Sequence, residues 1–148
     1  MSATERNLIA AHAEVKAEIA RTDGKTALLL AFVGAVLAGA WTVARDLPLN
    51  WPVVVVGGAG LVLLVAAVGA LLRSVRPNVS GRHGFPLWAT LTAEEISAAV
   101  SSDLAADIAG LSRLAVTKFT CLRRAVDLIR AGGALLILAA LLTAGGAL

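Results

Sequence analysis

Charge-free apolar runs alternate with mixed stretches along this chain, and the runs set the architecture. Thr26–Ala44, Trp51–Leu72 and Ala131–Leu148 each lack any Asp, Glu, Lys or Arg. At 1.5 Å per residue, a bilayer core of about 30 Å needs about 20 residues, so each run predicts a spanning helix. The valines of Val53–Val56 favour a strand locally. An open strand leaves its backbone unsatisfied in lipid, so helix prevails there. The first run follows a polar stretch and is longer than the apolar core of a secretion signal, so a span is expected.

The mixed stretches carry helical periodicity as well. Leu8, Ile9, His12, Val15, Ile19 and Thr22 share one face at the 3.6-residue period. No proline separates them from the first run, so one helix is expected through Gly24 into the membrane. Residues 73–91 are punctuated by Pro77, Gly81, Gly84 and Pro86 and predict a loop. Thr92-Ala-Glu-Glu95 then forms a capping box. After it, Ile96, Val100, Leu104, Ile108, Leu111, Ala115, Phe119, Leu122, Val126 and Ile129 make a stripe at 100° per residue. This helix is expected to continue into the third run. The predicted class is an all-α membrane protein with three transmembrane helices. Its parts are an N-terminal helix (1–25), span 1 (26–44), an outer turn (45–50), span 2 (51–72), a loop (73–91), a second polar-stretch helix (92–130) and span 3 (131–148). The first and last spans continue into a cytoplasmic helical stalk. Two stalk helices cannot enclose a core, so further copies of the chain are the expected partners.

Composition agrees. Hydrophobic residues make up 58% of the 148 and charged residues 16%, far from the balance of a soluble domain. Charge placement then gives an orientation. Arg6, Lys16, Arg21 and Lys25 precede span 1, and Arg73, Arg76, Arg82, Arg113, Lys118, Arg123, Arg124 and Arg130 lie between spans 2 and 3. Only Arg45 falls in the outer turn. The positive-inside rule places the N-terminus in the cytoplasm and the protein, as a multi-pass chain, in the inner membrane. Trp41 and Trp51 fall at the outer interface, where indole is favoured. Ala31, Ala35 and Gly39, and the cluster Gly57, Gly58 and Gly60, offer close helix contacts.

Chemistry-bearing motifs are sparse. One cysteine, Cys121, and two histidines, His12 and His83, leave little for a disulfide or a metal centre, and no phosphate-loop or nucleophile-elbow motif occurs. The chain is not expected to be an enzyme or to need a cofactor. Ten acidic residues interleave the basic ones, which argues against nucleic acid. Two charges fall on the apolar stripe of the second polar-stretch helix, Asp107 and Lys118. An ion pair or a snorkelling lysine explains Lys118 as well as a lysine lining an anion pocket does. Counting depth from the ends of the charge-free runs puts Lys118 about 20 Å below span 3, and Asp23 within about 5 Å of span 1. Two polar layers are therefore expected. Lys118, Lys16 and His12 form a deeper layer suited to a phosphate. Asp23, Lys25, Arg73 and Arg123 form a juxtamembrane layer, whose arginines also meet anionic lipid.

Four short features carry a family resemblance: Arg21-Thr-Asp-Gly-Lys-Thr26 leading into an apolar span, Arg76-Pro77 after the second span, the loop Phe85–Leu91 before Thr92-Ala-Glu-Glu95, and Lys118-Phe119 before the last span. With this layout the chain resembles the transmembrane effectors of Pycsar anti-phage systems across nearly its whole length. The resemblance implies that a uridylate or cytidylate cyclase makes cyclic UMP or cyclic CMP on infection. The effector binds that nucleotide and disrupts the inner membrane, and the cell dies before phage mature. It carries importance onto Asp23, Lys25, Arg76 and Lys118. Lys118, Lys16, His12 and Arg76 become the expected ligand residues. Gly24 departs from the pattern, since a larger helix-forming residue is expected there. A membrane scaffold of plasmid transfer is the competing reading.

Overall fold

A computed structural model describes residues 2–46, 50–76, 87, 89–96 and 104–145. Three long helices dominate: α1 (Ala3–Asp46), α2 (Trp51–Val75) and α3 (Leu104–Gly145). All three are long and apolar enough to cross a membrane, and no strand occurs among the described residues. α1 runs unbroken through Gly24, and α3 runs unbroken through Arg130. Each therefore joins a mixed stretch to an apolar run in one rod, as the absence of internal proline predicts. Of the expected outer turn 45–50, Arg45 and Asp46 belong to α1 and 47–49 lie outside the described residues, as do 77–86 and 88 of the expected loop 73–91, residues 97–103 with Val100, and the last three residues.

Local chemistry explains the ends of α2. Pro52 sits in its first turn, where a missing N–H costs nothing. At the other end Arg76 has φ −57° and ψ 122°, the extended conformation that a following proline imposes. α2 thus carries Arg73, Ser74 and Val75 as helix, past the last uncharged residue. That extension shapes the site described below.

The capping box is formed. The backbone N–H of Thr92 donates to Glu95 Oε2 at 2.8 Å, and the N–H of Glu95 donates to Thr92 Oγ1 at 3.4 Å. The bond from the Thr92 backbone, and then that from its side chain, hold the Glu95 carboxyl below its ordinary value. Such a group stabilises its helix end above the ordinary carboxylate pKa and ceases to do so as pH falls through the lowered value. Thr92→Ala is expected to cost about 1 kcal/mol at this helix start. Loss of amide-exchange protection confined to residues 93–96 would register it.

α2 and α3 form the tightest pair, and small residues make it so. The buried residues of α3 are Ala125, Gly132 and Ala139, and α2 buries Val53, Gly60, Leu64, Ala67, Leu71 and Ser74. Steps of seven residues recur on both helices, the spacing of a shallow left-handed crossing. Gly60 and Gly132 meet at its centre. A Cβ on Gly60 would lie 2.9 Å from the Gly132 carbonyl oxygen, and one on Gly132 would lie 2.9 Å from the Gly60 oxygen. α1 packs more lightly, burying Thr22, Thr26 and Val33. The Thr22 and Thr26 hydroxyls donate to the carbonyls of Glu18 and Thr22, so their burial leaves no polar group unmatched.

The apolar stripe of the second mixed stretch is not the closest contact. Leu104, Ile108, Leu111, Leu122, Val126 and Ile129 are only half-buried, and Phe119 is exposed. The α2 contact of Ala125, Gly132 and Ala139 lies about 90° further around the helix. Close approach depends on the absence of side-chain bulk, and hydrophobic periodicity does not report that. The predicted contact face Ala31, Ala35 and Gly39 on α1 contributes nothing to the three-helix packing. Ala31, Ala35 and Gly39 are exposed.

Candidate functional site: a cationic groove at the foot of α2 and α3

Where α2 ends beside α3, the two helices enclose a groove of about 300 Å³. Arg73, Ser74 and Arg76 line it from α2, and Arg113, Thr117, Lys118 and Cys121 are among the lining residues from α3. Four of these side chains are basic, and none of the lining residues among those described is acidic. A volume of this size lies at the small end of the range for small-molecule sites. Charge of this sign attracts anions.

Ser74 gives the groove an unfilled valence. Its side chain is 3% exposed, and its Oγ has no hydrogen-bond partner. Other hydroxyls on these helices, those of Thr42, Ser112, Thr117, Thr120 and Thr143, donate to the carbonyl four residues back. A buried hydroxyl without a partner is costly.

Lys118 belongs to the groove and to a second contact at once. Its Nζ donates to Asp23 Oδ1 at 2.5 Å, and the Lys118 side chain is 13% exposed against 44% for Asp23. This ion pair joins two different helices, whereas Arg21 and Glu18 pair within α1 at 2.8 Å. The bond corrects the two-layer expectation. Depth counted from the ends of charge-free runs set Asp23 and Lys118 far apart, because it placed the lower end of each apolar run at one level. Side-chain size sets the helix register instead. Gly132 must lie against Gly60, which brings Lys118 level with Asp23 and with the foot of α2.

The sequence-predicted residues separate accordingly. Lys118, Arg76 and Arg73 come together at the groove, with Asp23 bonded to its lysine. Lys16 and His12 lie on α1 seven and eleven residues before Asp23, about 10 and 16 Å lower on a straight helix. The single layer of Lys118, Lys16 and His12 is therefore not formed. Lys25 is exposed on α1, and Arg123 is exposed on α3. Asp107 is half-buried and makes an interaction of its own. Ser74, Arg113, Thr117 and Cys121 were not expected at a site. Arg113 points away from the apolar stripe, yet it lines the groove. A signal was present in the run Arg73-Ser-Val-Arg76, which contains no helix breaker before Pro77. Among the described residues no cluster of His, Cys, Asp and Glu has the makings of a metal site.

Three helices long and apolar enough to cross a membrane, with a groove lined by basic residues at their charged end, define the class as a helical membrane protein. The particular family follows from comparison. Residues 7–145 match the Pycsar effector protein domain, and the chain belongs to that family. This assigns it to the anti-phage Pycsar effectors, a group of effectors and not a known enzyme family. Comparison with curated proteins and comparison with solved structures each give no match.

Proposed function

We propose that this protein is a cyclic-pyrimidine-gated effector of the inner membrane, with its N-terminus and the groove in the cytoplasm. A partner cyclase supplies cyclic CMP or cyclic UMP during infection. The groove binds the cyclic phosphate, and the bound protein disrupts the membrane, so that the infected cell is lost before phage mature. Homo-oligomers carry out this disruption. The supporting observation is the groove itself: four cations and an unpartnered buried hydroxyl around a space of about 300 Å³.

The same geometry supplies a coupling. Lys118 bonds to Asp23 in the structure and also lines the groove. A phosphodiester entering the groove competes with the Asp23 carboxylate for that ammonium. When the phosphate prevails, α1 loses its ion pair to α3 while the closely packed α2–α3 pair stays intact. α1 runs from this contact through the membrane, so the change is transmitted along one rod. A ligand shifts such an equilibrium only by its preference for the released state. Competition for Lys118 provides that preference.

Calorimetric titration of the detergent-solubilised protein with cyclic CMP, cyclic UMP and the cyclic purine nucleotides tests the reading. Saturable binding of one cyclic pyrimidine, followed by dye leakage from vesicles containing the protein, is the expected result. A folded protein that binds none of them rejects it.

A further inference from the structure

The fixed register of α3 has a consequence for four of its charges. Gly60 lies within the charge-free run of α2, about 18 Å from the level of Leu72 at 1.5 Å per residue. Gly132 is opposite it, so the stretch of α3 from about Thr120 to Gly132 runs beside apolar α2. α1 gives the same answer independently. Lys118 is level with Asp23, and Arg130 lies as far above Lys118 as Ala35 lies above Asp23. Ala35 is in the middle of the first charge-free run. Arg123, Arg124, Asp127 and Arg130 therefore fall at the depth of the other two spans, with Arg130 near their centre.

These side chains do not turn inward. All four are exposed, and none makes an ion pair among the described residues. At 100° per residue Arg123, Asp127 and Arg130 share an arc of about 60°, opposite the face of Ala125, Gly132 and Ala139 that packs on α2. Ionisable groups at such depth face protein or water, seldom acyl chains. Arg123 and Arg124 are near enough to the charged end to reach headgroups. Asp127 and Arg130 are deeper.

We infer that this arc of α3 is an interface between copies of this chain within the membrane. The occupant is a second copy because the face carries both signs in a column, Arg–Asp–Arg. Copies inserted in one orientation hold like residues at like depth. Two such columns side by side set each Asp127 level with its counterpart, about 6 Å above the neighbour's Arg123 and about 4.5 Å below its Arg130, so that both of those arginines reach it diagonally. The inference stands apart from nucleotide recognition, which uses the other side of α3.

A disulfide-trapping experiment on the full chain in native membranes decides it. In a Cys121→Ser background, Ala134→Cys puts a thiol on the same exposed arc, and Leu28→Cys puts one on an exposed face of α1, 74% accessible, as the reference. Oxidation is expected to give a linked dimer through position 134, at least ten times more than through position 28. Asp127→Arg is expected to remove the link at 134, and Asp127→Arg combined with Arg123→Asp and Arg130→Asp to restore it. Equal linking at 134 and 28 overturns the inference and leaves these side chains to lipid headgroups. Linking at 134 that Asp127→Arg does not change overturns the charge pairing that defines the partner.

Discussion

Gly60→Ala and Gly132→Ala each force α2 and α3 apart and lower the stability of the bundle by about 1–3 kcal/mol. The added methyl on Gly60 meets the Gly132 carbonyl oxygen at 2.9 Å and Leu135 Cβ at 3.2 Å. The methyl on Gly132 meets the Gly60 oxygen at 2.9 Å and Leu64 Cγ at 3.1 Å. Backbone oxygens of a helix cannot swing aside as a flexible side-chain end does, so the helices must separate. Separation also opens the groove, whose walls are the feet of the same two helices. Gly58→Ala is the control, since a Cβ there has nothing within 4 Å. Thermal unfolding in detergent is expected to show a clear fall for the first two variants and none for the third. Equal unfolding temperatures for Gly60→Ala and Gly58→Ala would contradict the close crossing.

Lys118→Ala and Asp23→Asn are expected to move nucleotide binding in opposite directions. Removing the lysine takes away a cation of the groove, and binding should fall at least tenfold. Removing the carboxylate frees that cation from its competitor. A partly exposed ion pair is worth up to about 1 kcal/mol, so binding should tighten by up to about fivefold. The two variants also separate the coupling from the binding. Asp23→Asn breaks the link between α1 and α3 without ligand, so its expression is expected to slow growth in cells that lack the cyclase. Lys118→Ala breaks the same link and is expected to be toxic without responding to nucleotide. A neutral effect of Asp23→Asn on both affinity and growth would exclude the competition mechanism while leaving the groove as a binding site.

The long elements were legible because their causes are local. Length and absence of charge define α2, and the lack of proline from Ala3 to Asp46 makes α1 one rod across Gly24. Thr92 and Glu95 declare a helix start by type and spacing alone, and both bonds are present. Part of the site was legible too. Lys118 on an apolar stripe and arginines after the second apolar run are anomalies of pattern, and they converge on one groove. Lys16 and His12 entered the predicted layer only through a count of depth, and that count assumed a register.

Register is where sequence reasoning ends for this chain. Three apolar helices, a crowded charged end and an isolated lysine on a packing face were all readable beforehand, because each follows from composition and periodicity within one segment. Tertiary structure alone decided which helix faces meet. Contact between Gly60 and Gly132 depends on an absence of bulk on two separate segments, and no one-segment pattern reports it. That single contact slides α3 along α2. It thereby sets Lys118 against Asp23, gathers Arg73, Ser74, Arg76 and Arg113 around one space, and carries Asp127 and Arg130 up among the apolar helices. Helix packing has few soft degrees of freedom once two backbones touch, so one pair of glycines fixes the position of every charge along the rod.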